Sequence, residues 1–341
     1  MASPDSASLR RLMVGVVLVP VIVTMALSAF AWSSSRLAPR DLPVAVVASM
    51  PGADKLTSGL QRGDAFDVHS YDSEDAAREA IRDRDVYGAF VVSPQGVTTL
   101  TATAASVPVS RVVIEVGNGL AKKIGGKDAT ARTVDVVAAD PQDPLATGFS
   151  SSVLPLVLTG VLSAILIVML SKPGLLQLGS LIGAAALSGV CAGLIVQSWL
   201  GIVGGNWVAN ASVMGLTVFV ISVMSAGSAA VVGRSGMVAV SLLMVFMGNP
   251  FAGVSSAPEM LPEPAGWIGQ MLPPGAGGNL LRGTAFFDGA AVGVPLAVLL
   301  VWAGLGVTGL LFGARGSAAE PVGDGEPAPV KEVELSRETA G

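Results

Sequence analysis

Of 341 residues, 51% are hydrophobic and only 13% are charged, with a mean hydropathy of +0.66. Soluble globular domains carry about 25% charged residues, so the composition excludes an ordinary soluble protein. The net charge of −5 comes with no basic stripe, which argues against nucleic-acid binding, and the single Cys191 and single His69 exclude a disulfide framework, a Cys or His metal centre and any two-histidine mechanism.

The charges are segregated along the chain. Residues 33–150 hold 12 basic and 15 acidic side chains, whereas only Lys172 and Arg234 lie between Phe149 and Val254. This pattern predicts an α-helical membrane protein with one polar α/β domain between its first and second spans. The first apolar run, 12–32, follows a short N-terminus and is long enough to cross a bilayer. Ala29 and Ala31 also fit a signal-peptide cleavage pattern, but the run is longer than the usual apolar core of about 7–15 residues, which favours a retained anchor.

The domain over 33–148 then reads as alternating strands and helices. "LPVAVVAS" (42–49) and "FDVHSY" (66–71) predict strands, and "SEDAAREAIRDRD" (73–85) predicts a helix capped by Ser73. "VYGAFVV" (86–92) and "VTTLTA" (97–102) predict two more strands, and Val109, Val112, Val113, Val116, Leu120 and Ile124 recur at helical spacing. "RTVDVVAA" (132–139) predicts a last strand before the linker "DPQDPLATG" (140–148). About 100 residues suffice for one core, so this domain is expected to fold by itself.

Five further apolar runs, near 151–170, 178–200, 211–233, 236–254 and 291–313, form a five-helix membrane domain over 149–315 and bring the predicted spans to six with the first run. Arg10, Arg11, Lys172, Arg234 and Arg315 fall on one side if the spans alternate, which predicts a plasma-membrane protein with both termini cytoplasmic. Trp32, Trp199 and Trp207 sit at the opposite ends, as interfacial anchors do. The tail, 316–341, is rich in Glu, Pro, Gly and Ala and predicts cytoplasmic disorder.

Chemical motifs are sparse. "IGGKDA" (124–129) lacks the first glycine and the Ser/Thr of a phosphate-binding loop, so the chain is not expected to hydrolyse ATP. The predicted spans contain no Asp, Glu or His of the kind that couples transport to protons. His69 has no nucleophile elbow near it, and the charges at 72–85 alternate in sign as on a solvated helix face. No catalytic, cofactor-binding or metal-binding set emerges. The small-residue pairs Gly179/Gly183, Gly189/Gly193 and Gly309/Gly313 predict close helix packing, within the chain or across a dimer seam.

The segment 255–290 is the exception to both patterns. It is predicted to lie outside, yet it carries Trp267, Leu272, Leu280, Leu281, Phe286 and Phe287, and "MLPPGAGGNLLRG" (271–283) punctuates it. Non-helical backbone at membrane depth survives only where protein or a watery cavity covers it. The segment is therefore expected to dip back toward the bilayer as short helices, broken at the Pro-Pro-Gly-Ala-Gly-Gly run, with a helix lying flat on the interface as the alternative. Pro273, Pro274, Gly277, Gly278 and Arg282 are candidate gate residues, with Arg282 near headgroups or paired with Glu259 or Glu263. Asn249 and Pro250 break the preceding run, either as a plain helix end or as part of the same substrate path.

The order of these pieces resembles the type-2 ABC transporter permeases, and more narrowly their phage-infection-protein-like branch. The residues that carry the likeness are "LPVAVVAS", "FDVHSYDSEDAAREAIRDRDVYGAFVVSPQG" and "MLPPGAGGNLLRGTAFF" in sequence. The resemblance implies an export permease that pairs with a like subunit, as a homodimer or heterodimer, and moves an amphipathic or envelope-related substrate with a separate cytoplasmic ATP-binding subunit. It departs at the cytoplasmic face, where the brief loop "SKPGLLQ" (171–177) leaves Lys172 and Pro173 as the candidate ATPase-coupling residues. A scaffold or receptor-like membrane protein of the same architecture is the other reading.

Overall fold

A computed structural model describes residues 6–48 and 58–318. Predictions for the tail from residue 319 onward lie outside the described residues.

The chain opens with helix α1 (Ser6–Ser35) and enters a five-stranded sheet. The strands are β1 (Leu42–Ala48), β2 (Phe66–Tyr71), β3 (Gly88–Ser93), β4 (Gly96–Thr101) and β5 (Arg132–Asp135), in the order β2-β1-β3-β4-β5. β1 pairs parallel to both β2 and β3, β3 antiparallel to β4, and β4 parallel to β5. The expected last strand keeps only four of its eight residues. Helix α2 (Glu74–Arg82) starts where Ser73 accepts a hydrogen bond from the Ala76 amide, so the predicted cap forms. Helix α3 (Val107–Gly125) crosses from β4 to β5, capped by Ser106.

β1 is buried on both faces, which explains its unbroken apolar run. Ala45 and Val47 meet Ala77, Ala80 and Ile81 of α2, while Leu42, Val44 and Val46 meet Val109, Val113 and Leu120 of α3. Neither core is complete within the sheet unit. Phe287 is buried in the α2-side core, and Ala257 and Met260 in the α3-side core. Backbone bonds reinforce this, with the Ala38 amide donating to the Met260 carbonyl and the Arg40 amide to the Glu259 carbonyl, both at 3.0 Å.

The rest of the chain is helical. α4 (Thr147–Leu170), α5 (Leu175–Gly193, prolonged by a π turn at Leu194–Trp199), α6 (Trp207–Val232) and α10 (Gly293–Ala318) are long, and α7 (Arg234–Leu243, prolonged by a π turn at Met244–Gly248) is short. With α1, five helices among the described residues are long and apolar enough to cross a membrane. The run expected to be the fifth span, 236–254, is different. Its helix covers 15 residues, roughly 22 Å at 1.5 Å per residue, and stops at Gly248 before Asn249 and Pro250. The chain then forms a 3₁₀ turn (Pro258–Met260), α8 (Ala265–Gln270) and α9 (Pro273–Phe286).

α6 is the centre of the bundle, packed by α4, α5, α7, α9 and α10. The small residues predicted for close packing are used inside the chain. Gly189 faces the backbone of α6 at Ala211 and Gly215, and Gly309 and Gly313 face Gly227 and Ala230 of α6. Gly179 and Gly183 have open space above them. At one end of the bundle the connections meet. Gly201 lies against Gln142, Gly148 against Ile202, and Gly205 against the carbonyls of Thr284 and Ala285.

A candidate gate where sheet and bundle meet

α9 contains most of the predicted gate. Its helix does not break within the glycine run, as expected, but just ahead of it. Leu272 is extended (φ −100°, ψ 147°), Pro273 takes the first helical position, and the helix then runs through Gly275, Ala276, Gly277 and Gly278 to Phe286. The physical reason is that proline lacks the amide that the first turn cannot use, so it starts a helix as readily as it stops one. The glycines stay helical because neighbours leave no room for side chains. A Cβ on Gly277 would stand 2.5 Å from Thr217 Oγ1 of α6, and one on Gly278 would stand 2.6 Å from Val254 Cγ2.

Pro274 lies against Gly248, the last residue of the α7 helix, where a Cβ would meet the proline ring at 2.7 Å. The helix end before Asn249 therefore sits beside the start of α9. Asn249 and Pro250 line a small cavity of about 160 Å³ with Ser33, Ser34, Ser150 and Ser255. Lys172 and Pro173 are not part of this assembly and occupy the turn between α4 and α5.

Arg282 is buried, at 5% exposure, and its surroundings differ from the expectation. It pairs with neither Glu259 nor Glu263. Its Nη2 donates to the Val254 carbonyl at 2.6 Å, and the guanidinium lies 4.9 Å from the centre of the Phe149 ring. Its Nε has no partner among the described residues. A delocalised guanidinium tolerates a carbonyl and an aromatic face in place of a carboxylate, which would itself need desolvation. Phe149 is fixed in turn by Asp143, whose Oδ2 accepts from the Phe149 amide at 2.8 Å and whose Oδ1 accepts from the Thr147 amide at 2.9 Å. Glu259 is engaged elsewhere, accepting from the Tyr87 hydroxyl at 2.8 Å. Burial, and then the Glu259 charge and hydrogen bond, hold the Tyr87 phenol well above its usual range, so it remains a donor.

Two features escaped sequence reasoning. The first is Arg84, read as part of a solvated, salt-bridged helix face. Arg78 fits that reading, since it pairs with Glu74 one turn away. Arg84 instead lies beyond the end of α2, donates to the carbonyl and side-chain oxygens of Asn279, and stacks 5.2 Å over Phe287. The second is a buried amide cluster. Asn210 donates to Gln197 Oε1 at 3.0 Å and to the Gly204 carbonyl at 2.7 Å, and accepts from Thr284 Oγ1 at 2.8 Å. Carboxamides inside apolar spans were the available signal, since lipid gives them no partner. Separately, α4, α5 and α6 frame an open apolar crevice of about 640 Å³, lined by Pro155, Leu187, Cys191, Ile195 and Met214, which contains none of the predicted gate residues.

Residues 10–116, covering most of α1 and the sheet unit into α3, match the family described as ABC-2 family transporter protein. The segment, under a third of the chain, is similar to that family. Comparison with curated proteins and with solved structures gives no match. Beside this match, the described residues include five helices long and apolar enough to cross a membrane, which supports a multi-pass membrane protein. The matched segment supplies Arg84 and Tyr87, and the other half of the candidate gate lies beyond it in sequence, at 249–287.

Proposed function

We propose that this chain is the membrane subunit of an ABC-type exporter, of the phage-infection-protein-like branch, driven by a separate cytoplasmic ATP-binding subunit and paired with a like permease. In this reading 33–148 and 255–290 face outward, both termini are cytoplasmic, and the α8–α9 segment is the outer gate. The ABC-2 match carries the transporter reading. The clustering of the 140–148, 201–206 and 284–285 connections at one end of the bundle supports the shared outer side. The apolar crevice between α4, α5 and α6 suits an amphipathic cargo. Lys172 and Pro173, in the turn at the far end of α4, are the ATPase-coupling candidates.

The test begins with the full chain purified in mild detergent from its native membrane. An ATP-binding subunit should accompany it, and the pair in liposomes should move a fluorescent phospholipid only when ATP is hydrolysed. Lys172→Glu should lower ATP hydrolysis by the pair without reducing membrane abundance. A chain that purifies without any nucleotide-binding partner, and supports no ATP-dependent movement, would instead be a scaffold or receptor.

A further inference from the structure

Arg84 is placed by an unusual backbone. α2 ends at Arg82, and Arg84 adopts φ +67°, a left-handed conformation that non-glycine residues adopt rarely. The turn directs the guanidinium away from the solvated face of α2 and onto α9. It donates to both oxygens of Asn279 while lying over Phe287. Asn279 Nδ2 donates onward to Gln270 Oε1 at 2.9 Å, and Gln270 Nε2 donates to the Ala252 carbonyl at 2.8 Å.

This series has a direction. Arginine has only donors, so the Asn279 side-chain oxygen must face it. That leaves the Asn279 amide nitrogen to face Gln270, whose oxygen must then accept and whose nitrogen must face a carbonyl. One arginine on the sheet unit thus fixes two carboxamides and links α9, α8 and the loop after Asn249 and Pro250. Among the described residues Arg84 forms no ion pair, though Glu259 attracts it electrostatically. Glu259 is held by Tyr87, and Arg282, of the same sign, is held by Val254. Gly283 of the same helix lets the chain after it fold back closely, since a Cβ there would stand 2.9 Å from the Ala290 carbonyl and from Val292 Cγ1.

We infer that Arg84 is a positioning residue that latches α9 shut, so that the sheet unit regulates the outer segment through the α2–β3 turn. The inference rests on reading α9 as the gate. Anything that displaces this turn, such as a ligand on the sheet unit, releases the Asn279–Gln270–Ala252 series at once, because each amide depends on the one before it.

The test uses the full chain in lipid nanodiscs and two readouts. Hydrogen exchange of peptides within 265–287 reports the latch. Arg84→Gln should speed it about tenfold, since the bonds lost are charge-assisted, while peptides from β1 and β3 stay unchanged. Arg82→Gln, on the exposed end of α2, should change nothing. Asn279→Ala should reproduce the effect, and the double variant should add little to either single one. Unchanged exchange in 265–287, or a rise of equal size in β1 and β3, overturns the latch, the latter marking Arg84 as a structural prop of the whole unit. The second readout is labelling of Thr217→Cys, behind Gly277, by an impermeant thiol reagent in a Cys191→Ser background. Arg84→Gln should accelerate it at least threefold. Faster exchange in α9 with Thr217→Cys still shielded would keep the latch and refute α9 as a gate.

Discussion

Glycine serves two different purposes in this molecule, and the contrast lies in what each glycine touches. In the α6–α10 seam, Gly227 faces the Gly306 backbone, Gly306 faces the backbone of Val223 and Met224, and Gly313 faces Ala230. Backbone meets backbone, and nothing there can rotate away. In α9, Gly277 and Gly278 face the side chains of Thr217 and Val254. Thr217 and Val254 are β-branched and stiff, yet a shorter side chain at either position would relieve the contact, which nothing in the backbone seam can do. The same residue type marks a fixed weld in one place and a contact governed by the facing side chain in the other.

The largest effect is expected in the weld. Gly306→Leu should reduce folded protein in the membrane more than tenfold, measured by abundance and by a monodisperse elution peak, and no single compensating substitution should restore it. If Gly306→Leu were tolerated, the seam would be no weld and the comparison would collapse. Gly277→Val comes next, at about 1–3 kcal/mol of overpacking, seen as a lower thermal midpoint. Thr217→Ala in the same chain should recover at least half of that loss, because it removes the atoms that the new side chain strikes. Failure of this rescue would place α9 in the same class as the seam. Arg282→Ala should cost a similar amount by leaving the Val254 carbonyl with Ser150 Oγ alone as donor, at 3.2 Å, and by uncovering Phe149, with Arg282→Lys recovering only part, as a point charge stacks poorly on a ring. The smallest effect belongs to Gly179→Ala on α5. Open space surrounds that position, so the change should stay within about 0.5 kcal/mol, and a larger loss of stability would reveal a partner on that face.

Much of the architecture was legible because local signals were strong. β1 announced itself through consecutive valines that need two buried faces, and α2 through Ser73 ahead of Glu74 and Asp75. The long helices followed from runs of about 20 apolar residues. The misreadings share a cause, which is that the deciding partner is far away in sequence. Arg84 looks solvated until Asn279, 195 residues later, arrives beside it. Arg282 called for a carboxylate on grounds of charge, but Phe149 and Val254 meet it instead. The glycines of α9 are poor helix formers, and packing against α6 and Val254 decides their conformation. The run at 236–254 is the exception to this cause, since its helix ends at Gly248 beside its own Asn249–Pro250.

The sheet unit's two cores take in Ala257, Met260 and Phe287 from far along the chain. The consequence is one of timing. A ribosome finishes β5 at Asp135 and reaches Phe287 roughly 150 residues later, about 8–30 s at synthesis rates of about 5–20 residues per second. Throughout that interval the earliest-made domain waits for pieces that the cell has not yet polymerised. Its apolar sockets are open to whatever protease or chaperone reaches them first. A nonsense mutation after α6 would therefore do more than remove the last helices. It would also take Ala257, Met260 and Phe287 out of the two cores of the N-terminal domain.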